Sequence, residues 1–117
     1  MTVEQFFVEW LTEALPGVPV SGDVPSPIPE TFVTVERVGG GRDDKIDRAD
    51  LAVQSWGAST LAAAELHERV KAAMLDAVTS GSVSKCRLDT EYNFYDTTTK
   101  HPRYQGVFEV VYFLQGG

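Results

Sequence analysis

Along residues 2–15 (TVEQFFVEWLTEAL), Val3, Phe7, Trp10, Leu11 and Ala14 recur at the spacing of one helix face. Thr2 followed by Gln5 is a capping-box pattern. The hydroxyl accepts a free backbone N–H, and the amide oxygen returns to the cap's own N–H. Glu4 places negative charge in the first turn, where the helix dipole favours it. Pro16-Gly17 stops this helix. Phe6 lies off the main stripe, so the apolar face is broad enough to meet more than one surface. Residues 16–30 then hold five of the six prolines, which remove backbone donors and exclude a central strand. An extended, stiff connection is expected there, with Val18-Pro19-Val20 as a short edge strand.

Residues 31–38 (TFVTVERV) read as a strand rich in β-branched and aromatic side chains. Val33 and Val35 share one of its faces; Phe32, Thr34, Glu36 and Val38 share the other. Gly39-Gly40-Gly41 breaks it, and the charged run that follows reads as a long, exposed hairpin loop over 39–50. The chain returns as a strand over 50–56, with Leu51 and Val53 facing the core. A second helix is expected over 59–79, capped by Ser59 or Thr60. Its stripe is Ala62, Leu66, Val70, Ala73 and Ala77, with Met74 at the edge and His67 at the solvent boundary.

Residues 83–95 and 104–114 read as two further strands joined by an irregular loop over 97–103. In the first, Cys86, Leu88, Tyr92 and Phe94 alternate with Lys85, Arg87, Asp89, Glu91 and Asn93, a half-buried pattern. The second is apolar on both faces. Phe108, Val110, Tyr112 and Leu114 make one; Val107, Val111 and Phe113 make the other, interrupted by Glu109. Such a strand wants cover on both sides, from a helix or from a neighbouring subunit. The expected fold is one α+β domain over 1–117. It has a mixed, mainly antiparallel sheet of four to five strands with two helices packed on it, in the order α-(β)-β-β-α-β-β.

At 117 residues the chain can bury about two-thirds of its extended surface, enough for a core without disulfides or a metal. Its net charge of −7 and scattered Lys/Arg argue against general nucleic-acid binding. No apolar run is long enough for a membrane span, and the N-terminus lacks the basic region of a secretory signal. The single cysteine, Cys86, fits a reducing compartment and reads as a small core residue rather than a nucleophile. His67 and His101 lie far apart and belong to no ligand spacing. Asp43, Asp44, Asp47 and Asp50 depart from calcium-loop spacing and are interleaved with Arg42, Lys45 and Arg48, so they read as a solvated loop. The triglycine is followed by neither Gly-Lys-Ser/Thr nor a helix, which excludes a phosphate loop. No catalytic, cofactor or metal residues emerge, and a binding or structural module is expected rather than an enzyme.

Several features taken together carry a family likeness. An N-terminal helix and a Pro-rich crossing precede the strand TFVTVERVGG. A charged loop leads to DLAVQSWG, then to the alanine-rich helix ASTLAAAELHERVKAAML, and a strand pair ends in YQGVFEVVYF. In these features nearly the whole chain resembles the tail terminator (tail completion) proteins of long-tailed bacteriophages. The resemblance implies an α+β sheet fold and a homo-oligomeric ring, usually a hexamer, at the head-proximal end of the tail tube. Such a ring ends tube polymerisation and joins tail to head. Its partners would be the tail tube protein and the head–tail connector protein. DNA would pass the lumen without specific binding, aided by acidic walls, and no membrane or cofactor is involved. The chain would reside in the virion after assembly in the host cytoplasm. By matching position, the resemblance places one contact loop at 39–50, with Arg42, Asp43, Asp44, Lys45, Asp47 and Arg48. A second lies at 97–103, ending on Arg103 and flanked by Tyr95 and Tyr104, and the extra apolar face of the last strand adds Val107, Val111 and Phe113. Alternative readings are another head–tail connector or stopper protein, or a small-ligand-binding α+β domain.

Overall fold

A computed structural model describes residues 1–114. The elements are α1 (Val3–Ala14), β1 (Val20–Ser21), β2 (Phe32–Asp43) and β3 (Ile46–Trp56), then α2 (Thr60–Leu75) with a 3₁₀ turn at Asp76–Ser80, and finally β4 (Val83–Asn93) and β5 (Arg103–Tyr112). The five strands form one mixed sheet in the order β1-β2-β3-β5-β4. Only the short β1 runs parallel to its neighbour; the other three pairings are antiparallel. The α+β fold and element order expected from the pattern are therefore present. No helix among the described residues is long and apolar enough to cross a membrane.

Both helices pack on the same side of the sheet. Val33, Val35, Leu51, Val53, Phe108 and Val110 meet Phe7, Leu11, Leu66, Val70 and Met74 there in one core. The Thr2 box forms in both halves, with Gln5 N donating to Thr2 Oγ1 at 3.1 Å and Thr2 N to Gln5 Oε1 at 2.9 Å. The stripe of α1 is narrower than expected. Val3, Phe7 and Leu11 are buried, Ala14 is exposed, and Trp10 is half-buried. Trp10 leans instead onto α2, donating its indole N–H to Ala73 O at 2.8 Å.

The segment 39–50 is not a loop. β2 runs on to Asp43 and β3 starts at Ile46, so Asp44 and Lys45 alone make the turn. Both have positive φ, 49° and 67°, as a two-residue hairpin turn matched to strand twist requires. A bulge between Arg37 and Gly39 admits the triglycine. Arg37 then ties the ladder, its guanidinium donating to Gly39 O and Arg48 O, each at 3.0 Å. Gly40 holds φ 121°, and a Cβ there would stand 2.3 Å from Arg48 O.

On α2 the buried set is Ala63, Leu66, His67, Val70 and Met74, while Ala62 and Ala73 are only half-buried. His67 is thus 2% exposed rather than at the solvent edge. Gly106 on β5 makes the room, since a Cβ there would come within 2.9 Å of the His67 ring.

A second departure lies in β4. A register shift between Leu88 and Thr90 reverses the alternation that the sequence shows. Cys86 and Leu88 face the helices as expected, opposite Val110 and Phe108. Beyond the bulge Glu91 takes the helix side, opposite Gly106, and Tyr92 turns to the other face, opposite Gln105.

Replacing Gly40 by alanine is expected to lower stability by about 1–3 kcal/mol, because a side chain must adopt a strained φ against the β3 backbone. Urea denaturation checks this; an unchanged midpoint would contradict the hairpin geometry.

Candidate interaction face

With both helices on one side, the opposite sheet face carries cross-strand rows of contrasting chemistry. The first row is aromatic and cationic. Phe32 stacks on Trp56 at 4.8 Å, and His101 meets both rings edge-on. The Arg103 guanidinium lies over Trp56 at 4.9 Å and over Phe94 at 4.1 Å. This row is closed over by chain: His101 Nε2 contacts Glu30 O at 3.2 Å, and Gly57 N donates to Pro102 O. Phe32 and Trp56 are consequently buried on a face that has no helix.

The second row is a polar relay across four strands. Trp56 Nε1 donates to Thr34 Oγ1 at 3.3 Å, and Thr34 donates to Gln54 Oε1 at 3.2 Å. Gln54 Nε2 donates to Gln105 Oε1 at 2.7 Å, and Gln105 Nε2 donates to the Tyr92 hydroxyl. The relay ends at an edge strand on a side chain 39% exposed, whose own hydroxyl hydrogen remains to be donated. Neither its continuity nor its face was readable in the sequence. Gln54 and Gln105, polar positions inside otherwise apolar strands, were the available signal, but the bulge hid Tyr92.

In the next rows burial falls off, from Ala52 at 2% exposed to half-buried Val107, Glu109 and Val111 and exposed Arg48, Lys85 and Arg87. Ala52, Val107 and Thr90 form one row, and Asp50, Glu109 and Arg87 the next, followed by Arg48, Val111 and Lys85. Glu109 is paired with Lys85 at 3.3 Å and Arg87 at 3.6 Å. The hydrogen bond from Lys85, then the nearby charges of Lys85, Arg87 and Arg48, hold its carboxyl below the usual range. Past these rows Ile46 and Phe113 are 46% and 56% exposed.

The residues singled out from sequence therefore divide. Val107, Val111 and Phe113 share this face as expected, and no helix covers them among the described residues. Arg42, Asp43, Asp44 and Lys45 are exposed at the hairpin end, with Arg42 and Asp47 a loose 3.9 Å pair. Such an exposed contact contributes little. Arg48 lies on the open face itself. Tyr95 is exposed at the tip beyond β4. Arg103 is half-buried and engaged with rings, its Nε donating to Phe94 O at 2.6 Å. Tyr104 is half-buried: it points to the helix side opposite Ser55 and stacks on His67 at 5.8 Å.

That stacking belongs to a titratable cluster that lies on the helix side. His67 Nε2 is 2.7 Å from Glu91 Oε1, and Lys71 Nζ reaches Glu91 at 3.1 Å and Glu68 at 2.6 Å. A carboxylate only accepts, so Nε2 carries the proton, and Nδ1 is left buried without a partner. His67, Glu68 and Glu91 hold ligand atoms within 4.8 Å of one another. The Lys71 ammonium, however, already stands on both carboxylates where a cation would bind. The hydrogen bond from His67 first, and that from Lys71 second, hold the Glu91 carboxyl below its usual range. Burial pushes the Cys86 thiol up to about 12, the opposite of nucleophile activation.

Comparison with known proteins adds no relative: no protein-family model and no curated protein matches the chain.

Because its folded-state pKa is lowered, Glu91 stabilises the native state above the ordinary carboxylate range, and this is lost as pH falls through the folded value. Glu91→Gln is thus expected to be less stable than the parent at neutral pH. The gap should narrow in urea titrations as pH falls from the ordinary carboxylate range through the lowered folded value. A gap independent of pH would contradict the ionic role. The Cys86 thiol is expected to resist alkylation at about pH 8 in the native chain and to react fully in denaturant. Equal rates in the two states would contradict its shielding.

Proposed function

We propose that the chain is a structural subunit of a ring that closes the head-proximal end of a bacteriophage tail tube, and that it acts through protein contacts rather than catalysis. The observation that carries this reading is the open sheet face, where Val107, Val111 and Phe113 are turned away from the helices. A monomer gains nothing by placing apolar side chains there, whereas a subunit buries them against a neighbour. The sequence resemblance to tail terminators supplies the assembly in question. The helix-covered mixed sheet is of the fold class which that resemblance implies.

The chemistry of the described residues supports contact over catalysis. The one dense titratable cluster is closed by Lys71, and the one thiol is masked. The hairpin ending at Asp44-Lys45 alternates acids and bases, with three of each over 42–48. Such balanced charge suits a protein contact with the tube or the connector better than an acidic wall. In this reading DNA passes the lumen without specific binding, and the protein resides in the virion.

Sedimentation velocity across a concentration series, followed by electron microscopy, tests the proposal together with binding to purified tail tubes. Closed rings, or caps at one tube end, are the expected result. A chain that stays monomeric and leaves tube ends bare would overturn it.

A further inference from the structure

The outer flank of α1 carries apolar side chains that the fold covers only in part, Phe6 and Trp10 resting on the core at its margin. Phe6 and Trp10 stack at 6.1 Å and 12°, both half-buried, beside a hollow of about 500 Å³ that Glu9 and Glu13 also line. A second hollow of about 600 Å³ lies on the other flank of the helix, between Glu4, Val8 and Glu9 and the chain at Val20, Ser21 and Gly22. The helix has three glutamates and no lysine or arginine. None of the three is in an ion pair among the described residues. Glu13 stands in the last turn, where a negative charge opposes the helix dipole. A carboxylate kept there without a partner costs stability in the free chain and is offset once a cation is brought to it.

The far end of the open sheet face has the complementary character. Val111, Ile46 and Phe113 supply apolar surface, and Arg48 and Lys85 flank Val111 in one cross-strand row. Arg87 stands in the adjacent row. Glu109 uses part of this charge, but Arg48 forms no ion pair among the described residues. The two surfaces lie on opposite sides of the sheet, one on the helix layer and one on the bare face. They cannot meet within one chain.

We propose that the occupant of the open sheet face is α1 of a second copy, with Phe6 and Trp10 set against Val111 and Phe113, and Glu9 and Glu13 against Arg48 and Lys85. The contact is heterologous, because two different patches meet. A pair so formed is left with one free patch of each kind, so association continues until a ring closes or a filament grows. This deepens the ring reading and rests on it. It also explains why β5 is apolar on both faces while both helices stand on one: the missing cover is supplied by the neighbour.

Charge reversal tests it. Glu9→Lys with Glu13→Lys, and separately Arg48→Glu with Lys85→Glu, should each abolish the assembly that the parent chain forms in sedimentation velocity. All four sites carry exposed charged side chains, and circular dichroism with urea midpoints checks that each variant folds. The chain with all four substitutions should assemble again, because the charges are exchanged rather than lost. Mixing the two double variants should restore assembly with the two variants alternating, because each α1 then meets a sheet face of opposite charge and only like variants repel. Parent rings that survive both double variants would overturn this contact and leave the ring reading standing. So would a quadruple variant that is folded yet fails to assemble. A parent chain that never self-associates would overturn this contact, and binding to tail-tube ends would then decide the ring reading separately.

Discussion

The structure depends on a one-sided arrangement: a five-stranded sheet with both of its helices on the same face. Burial of apolar surface drives folding and has no direction of its own. Here the helices direct it, since Phe7, Leu11, Leu66, Val70 and Met74 all press on the same strands from one side. The other face is held by different means. Rings and an arginine close one end under the 94–103 chain, and a side-chain relay crosses the middle. The far end has apolar side chains and charges but no cover among the described residues.

The helix side is finished in detail by one missing Cβ and one extra residue. Gly106 leaves room for His67 to lie on the sheet, and the β4 bulge carries Glu91 round to meet it. Lys71 completes the ionic group from the same helix. The bulge simultaneously sends Tyr92 to the opposite face, where it ends the relay from Gln105. One local irregularity thus assigns a residue to each side of the sheet.

Much of this was legible in the residues. The Thr2 box, the α+β order and the two-faced apolar pattern of β5 follow from spacing alone, and the structure has all three. The errors have specific causes. Triglycine and dense charge are poor strand formers, and Asp44-Lys45 lacks the glycine that marks a two-residue turn, so 39–50 read as a loop. Periodicity assumes an unbroken register, so it put Tyr92 and Glu91 on the wrong faces past Leu88. His67 was set at the solvent edge because the room beneath it comes from a residue far along the chain. Tyr104 shares the parity of Phe108 and Val110 and so lies on the helix side, where its stacking on His67 is a contact that spacing along one strand does not reveal.

The functional account turns on whether the open sheet face is a contact surface. Hydroxyl-radical footprinting of the assembled and dissociated protein, read residue by residue by mass spectrometry, addresses it most directly. Phe113 and Ile46, exposed in the single chain, should be oxidised in the dissociated protein and protected in the assembly, with Phe6 and Trp10 protected alongside them. Equal oxidation of Phe113 in both states, with protection confined to other surfaces, would contradict the account.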